Sequence, residues 1–257
     1  MMRLDEDAIR QYEARPDLLA GRIVLVTGAG DGIGKALSLA CAHAGATVIL
    51  LGKTVKKLEA VYDGIEAAGG AQPAIYPMNL EGATAKDYAD LMDNIEGEFG
   101  HLDGLVNNAG WVGALTPFKH YDVELWARVM TVNLHAPFLL TRACLPLLER
   151  AEDPAIVFST HHCQRAYWGA YGIAKAGQKG MLDILAAEYD ADSNHPIRVN
   201  GVDSGPVATR ERRAHYPGEP PDAHPAPETV IAPYLYFLGP DSRGVSGTDL
   251  ECQPGKR

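Results

Sequence analysis

The chain has 257 residues, 46% of them hydrophobic, and a formal charge of −10. That acidity argues against nucleic acid as a partner, and the length admits one large α/β domain or two small ones. The first 21 residues lack the apolar segment of a signal peptide, no apolar run is long enough for a membrane span, and the four cysteines (Cys41, Cys144, Cys163, Cys252) show no metal-ligand spacing, so a cytoplasmic protein with reduced thiols is expected.

Residues 1–21 read as an N-terminal extension, and residues 22–257 as one domain. RIVLVT (22–27) is a short β-rich run ending at glycines, followed by a helical stretch over 34–44. ATVILL (46–51) predicts a second strand and 56–68 a second helix. AQPAIYPM is a weaker third strand, 83–99 a helix, and LDGLVNN a fourth strand. A long helical segment covers 123–150. AIVFS is the fifth strand, 170–189 a helix, PIRVNGV the sixth strand, 230–238 a last helix and 248–252 a short seventh strand. Continuous apolar strands spaced by helices predict a mostly parallel, doubly wound Rossmann sheet of seven strands covered on both faces. Residues 208–228 break the pattern: they are rich in proline and charge and lack periodicity, as in a lid over a substrate or a mobile surface loop.

In RIVLVTGAGDGIGKAL, Gly28, Gly32 and Gly34 stand between strand and helix, with Asp31 and Ile33 in the same turn. Gly28 permits the tight turn, Gly32 lets the backbone approach a pyrophosphate, and Gly34 lets the helix start close to the sheet. After the second strand comes LLGKT, with no acid to accept a ribose hydroxyl and with Lys53 available to pair with a 2′-phosphate; this favours NADP(H) over NAD(H). Tyr171 with Lys175 one helical turn on is a weak signal by itself, since the chain has 11 tyrosines.

Taken together, TGAGDGIG (27–34), NNAG (107–110), VN (132–133), YGIAK (171–175) and SGPVAT (204–209) resemble the short-chain dehydrogenase/reductase family, over the chain from about Arg22 onward. The N-terminal extension, YWGAY and the ending QPGKR further resemble the YciK-type oxidoreductases of bacteria. The resemblance implies an NADP-dependent oxidoreductase that moves a hydride between nicotinamide and a ketone or secondary alcohol. It implies Tyr171 as the proton donor and acceptor, with Lys175 lowering its pKa and binding the nicotinamide ribose. Asn133 would hold a water in a relay to Lys175. Asn79 would meet the adenine, Asn107, Ala109 and Gly110 would shape the strand end beside the cofactor, and Gly205, Val207 and Thr209 would face the nicotinamide. The outer faces of 123–150 and 170–189 would pack in a homodimer or homotetramer.

Three positions depart from the family pattern. The serine expected after the fifth strand is replaced by Ser159 and Thr160, either of which could bind the substrate oxygen, and the segment from there to Tyr171 is short. His161 and His162 follow, either as loop histidines or as a donor to that oxygen. Asn79 replaces an aspartate, and Ser204 a proline. Trp111, Tyr167 and Trp168 are candidate pocket walls, and Arg210, Arg212 and Arg213 could meet an anion or remain solvated. The short Ser159–Tyr171 segment also admits a cofactor-sensing protein without turnover. A sugar-nucleotide epimerase would need a longer C-terminal domain and a differently spaced glycine turn.

Overall fold

The computed structural model describes residues 4–255, so the last two residues of the QPGKR ending lie outside it. The order of elements is α1 (Glu6–Arg10), β1 (Ile23–Thr27), α2 (Gly32–His43), β2 (Thr47–Gly52), α3 (Val55–Ala67), β3 (Ala74–Pro77), α4 (Ala85–Phe99) and β4 (Gly104–Asn107). It continues through α5 (Val123–Met130), α6 (Ala136–Leu148), β5 (Ala155–Thr160), α7 (Gly169–Glu188), β6 (Arg198–Asp203), α8 (Arg210–His215), α9 (Ala232–Leu238) and β7 (Asp249–Glu251). The seven strands form one sheet in the order β3-β2-β1-β4-β5-β6-β7, and every pairing is parallel.

The strands are apolar at successive residues because both faces of the sheet are covered. Val24, Val26, Val48 and Leu50 face a cluster built with α2, α3 and α9. Ile23, Leu25, Ile49 and Leu51 face the opposite cluster, which α4 and α6 close through Leu91, Ile95 and Leu140. The chain reverses its winding at β1, which pairs with β2 on one side and β4 on the other. The crevice outside the C-terminal ends of these strands is therefore where a ligand can enter.

The single helix expected over 123–150 is interrupted. Residues Thr131–His135 form a π-helical turn between α5 and α6, which presents Asn133 at the widened turn. The N-terminal extension is docked on the core. Ile9, Leu18 and Leu19 are buried in the α2/α9 cluster, each contributing roughly 1.5–3 kcal/mol. Arg10 Nε donates to the Glu251 carbonyl at 2.7 Å, tying α1 to β7.

Candidate active site

A cavity of about 760 Å³ runs along the C-terminal ends of the strands, from the glycine turn to Tyr171. At the turn, Gly28 (φ 68°) and Gly32 (φ 50°) adopt left-handed backbone, which side chains rarely tolerate. Asp31 caps α2 by accepting from Gly32 N at 2.9 Å. Its carboxylate also pairs with Lys57, whose hydrogen bond is the main cause of the lowered Asp31 pKa. Lys53, Lys57 and Arg210 line the same end of the cavity. Positive residues beside an open helix N-terminus suit the phosphates of a dinucleotide. Asn79 and Ile33 also line this end.

The end of β4 is stapled to the glycine turn by Thr27. Its hydroxyl accepts from the N–H groups of Asn108 and Ala109, both at 2.9 Å, and Asn108 Nδ2 donates to the Thr27 carbonyl at 2.9 Å. Asn108, Ala109 and Gly110 line the cavity. Asn107 does not: it points into the core and donates to Thr141 Oγ1 at 2.9 Å. Of the two asparagines of NNAG, Asn108 therefore faces the cavity and Asn107 the core, because alternate residues of a strand face opposite sides.

At the far end, Tyr171 and Lys175 lie one turn apart on α7, with Lys175 Nζ 5.6 Å from the Tyr171 ring centre. Burial pushes the Tyr171 phenol well above its ordinary value and lowers the Lys175 ammonium to about 8. The expectation of a lowered tyrosine is therefore not met here: burial is the largest cause, and the charges of Cys163, Asp203 and Glu211 act in the same direction. At neutral pH the pair stands as phenol and ammonium. Lys175 Nζ donates to the Ser159 carbonyl at 2.6 Å and to Gln178 Oε1 at 3.0 Å. Gln178 Nε2 donates in turn to the Asn133 carbonyl at 2.6 Å. A side-chain amide thus bridges the Asn133 carbonyl and Lys175. The Asn133 side chain is used elsewhere, bonded to both the N–H and the carbonyl of Trp111 and to the Val129 carbonyl.

A profile of the short chain dehydrogenases matches residues 22–219. The chain belongs to the short chain dehydrogenase family. An uncharacterized oxidoreductase of Escherichia coli K12, YciK, is 37% identical over 249 residues, covering 96% of this chain and 97% of that protein. A solved short chain dehydrogenase from Shigella flexneri complexed with NADP is 37% identical, with a TM-score of 0.89, and covers 93% of this chain and 100% of that one. A further one, from Escherichia coli CFT073 complexed with NADPH, is 38% identical, has a TM-score of 0.89, and covers 93% and 100%.

Compared with the family pattern, the hydroxyls at the end of β5 are occupied in this short chain dehydrogenase. Ser159 Oγ lies 2.9 Å from the Tyr234 hydroxyl and 3.3 Å from Asn108 Oδ1, and Thr160 Oγ1 donates to Asp249 Oδ1 at 2.6 Å. Asp249 belongs to a cluster that also holds His162. The His162 Nδ1 lies 2.9 Å from Glu251 and Nε2 2.9 Å from Asp249, while Asp203 accepts from the His162 N–H at 2.7 Å and from Gly205 N at 2.8 Å. Burial disfavours the charged ring, but the bonds to Glu251 and Asp249 and the charges of Asp249 and Asp203 outweigh it, so its pKa is raised. A raised pKa in the folded state contributes stability that is complete below the unfolded value of about 6.5 and is lost as pH rises through the folded value. We predict that His162→Gln is most destabilised, relative to wild type, at about pH 6 and that the gap narrows towards pH 9. Urea titrations across that range check this; a gap independent of pH would refute it.

The C-terminal loop closes over the cavity. Gly205 (φ 63°), Val207 and Thr209 line it, and a side chain at Gly32 would lie 3.2 Å from Thr209 Cγ2. Thr209 caps α8, Glu211 accepts from Val112 N at 3.0 Å, and Arg212 pairs with Glu219 and stacks on Tyr216. Residues 208–228 therefore contain a short helix and are latched to the loop after β4. Trp111 and Trp168 line the cavity, whereas Tyr167 is 59% exposed. Gln178, Lys57 and the carboxylates that hold His162 went unremarked as site residues in sequence, since their partners lie on distant segments. Among the described residues no helix is long and apolar enough to cross a membrane.

Proposed function

We propose that this dehydrogenase interconverts a ketone and its secondary alcohol with NADP(H), and that Tyr171 exchanges the proton. The observation that carries the reading is one cavity with cations and a glycine turn at one end and Tyr171 with Lys175 at the other. NADPH, when bound, supplies the hydride, and NADP+ accepts it in the reverse direction. Gly28, Gly32, Ile33 and Gly34 would lie against the pyrophosphate, and Lys53, Lys57 and Arg210 would pair with the 2′-phosphate, with Asp31 holding Lys57. Asn79 would meet the adenine. Ala109, Gly110, Gly205, Val207 and Thr209 would enclose the nicotinamide. Tyr171 as a phenol is the form that gives a proton to a developing alkoxide, and Lys175 supports the phenolate that results. Gln178 and the Asn133 carbonyl hold Lys175 in place.

The test follows NADPH absorbance with the reactive diketone diacetyl, with NADH in parallel. We expect NADPH to be preferred at least about tenfold, and Lys53→Glu combined with Lys57→Glu to remove or reverse that preference. Equal use of NADH by wild type would count against the 2′-phosphate assignment. A second reading, a cofactor sensor without turnover, draws on the occupied Ser159 and Thr160 hydroxyls; cofactor binding with no carbonyl consumed would favour it. Free, mostly buried thiols fit a cytoplasmic enzyme. Exposed Val123, Phe138, Ile173 and Ile184 on α5, α6 and α7 support a homodimer or homotetramer.

A further inference from the structure

The proton donor at Tyr171 is in place, but a carbonyl oxygen there also needs a group that holds and polarises it. Both hydroxyls of β5 have other partners. Ser159 and Thr160 are paired in register with Val202 and Asp203, so their side chains leave opposite faces of the sheet. One meets Tyr234 and Asn108, the other Asp249. His161 is the first residue beyond the strand, and it turns into the cavity. Its ring centre lies 5.9 Å from that of Tyr171 and 5.0 Å from that of Trp168, edge-on to both. The His161 backbone carbonyl accepts from Cys163 N at 2.9 Å and from Gln164 Nε2 at 3.5 Å. Among the described residues, neither ring nitrogen has a hydrogen-bond partner.

We propose that His161 donates the hydrogen bond that holds and polarises the substrate carbonyl oxygen beside Tyr171. This rests on the carbonyl–alcohol reading of the site. Burial lowers the imidazole pKa to about 4, against the opposing charge of Asp203, so the ring is neutral at physiological pH. A neutral imidazole has one N–H to give and one nitrogen that can accept. It keeps its proton throughout the reaction: it bonds the oxygen as negative charge develops there, and the proton that ends on the oxygen comes from Tyr171. Neutral histidine serves as such an electrophile in triosephosphate isomerase, an example the physics of pKa tuning explains. Trp168 and Tyr171 fix the ring from two sides, so the donor is held before substrate arrives.

Two variants separate the hydrogen bond from the packing. His161→Phe keeps an aromatic ring and removes the N–H, while His161→Gln loses the ring and keeps a donor. The readouts are kcat/KM for diacetyl with NADPH, and the affinity of the NADPH complex for isobutyramide, a carbonyl it cannot reduce, by NADPH fluorescence. We expect His161→Phe to lose about a hundredfold in kcat/KM and about tenfold in amide affinity, and His161→Gln to recover most of both. A His161→Phe protein that binds and reduces like wild type would overturn the proposal. So would a His161→Gln protein no better than His161→Phe, which would make the role one of packing, or a wild type that does not bind the amide. A wild type without turnover whose amide binding still depends on His161 would sink the carbonyl–alcohol reading and leave the donor standing.

Discussion

Tyr171→Phe is expected to lower kcat for diacetyl about a thousandfold while the protein still binds NADPH. The substitution removes only the hydroxyl, so the ring still packs beside Trp168 and His161. Lys175 keeps both of its partners, Ser159 and Gln178, because neither bond involves Tyr171. The cofactor end of the cavity, at the glycine turn, is untouched. Single-turnover absorbance and NADPH fluorescence read the two quantities separately. A variant that keeps full activity would remove Tyr171 from the proton path. Joint loss of activity and NADPH binding would show instead that the tyrosine acts by supporting the cleft.

Gly34→Ala is the second large effect, and it acts on folding as well as on binding. A Cβ at Gly34 would overlap the Gly28 carbonyl and stand 2.6 Å from Asn108 Nδ2. Neither neighbour is free to retreat. Gly28 sits at the left-handed turn, and Asn108 Nδ2 is bonded to the Thr27 carbonyl. We expect a loss of about 3 kcal/mol in urea unfolding and weak or absent NADPH binding. Gly97→Ala is the internal contrast. Gly97 is exposed in the interior of α4, and a Cβ there meets nothing within 4 Å. That change should stabilise the protein by about 0.5–1 kcal/mol, because alanine is the better helix former. If both substitutions had the same sign, close packing at the glycine turn would not be what Gly34 provides.

The fold was legible because its signals are local and repeat along the chain. Buried strands such as IVLVT and TVILLG alternate with helical stretches, and glycines end the first of them. A parallel sheet covered on both faces requires that pattern. The Tyr171–Lys175 pair was equally readable, since one helical turn places two side chains on one face whatever surrounds them. The π-helical turn at Asn133 gave no such signal, as it changes the hydrogen-bond pattern without changing the apolar period.

By itself the sequence determined the order of the elements, the glycine turn, and the presence of a tyrosine and a lysine one turn apart. Only the tertiary structure decided which hydroxyls and nitrogens are free to meet a ligand. Ser159 and Thr160 look equivalent in AIVFST, yet Tyr234 on α9 and Asp249 on β7 occupy them from segments at least 75 residues away. The two histidines that follow look alike as well. His162 is held by carboxylates from β6 and β7 and its pKa is raised, whereas burial beside Trp168 lowers that of His161. The physical reason is the same in both cases: a polar group's partners and its access to water are set by what other parts of the chain pack against it, and no local pattern encodes that.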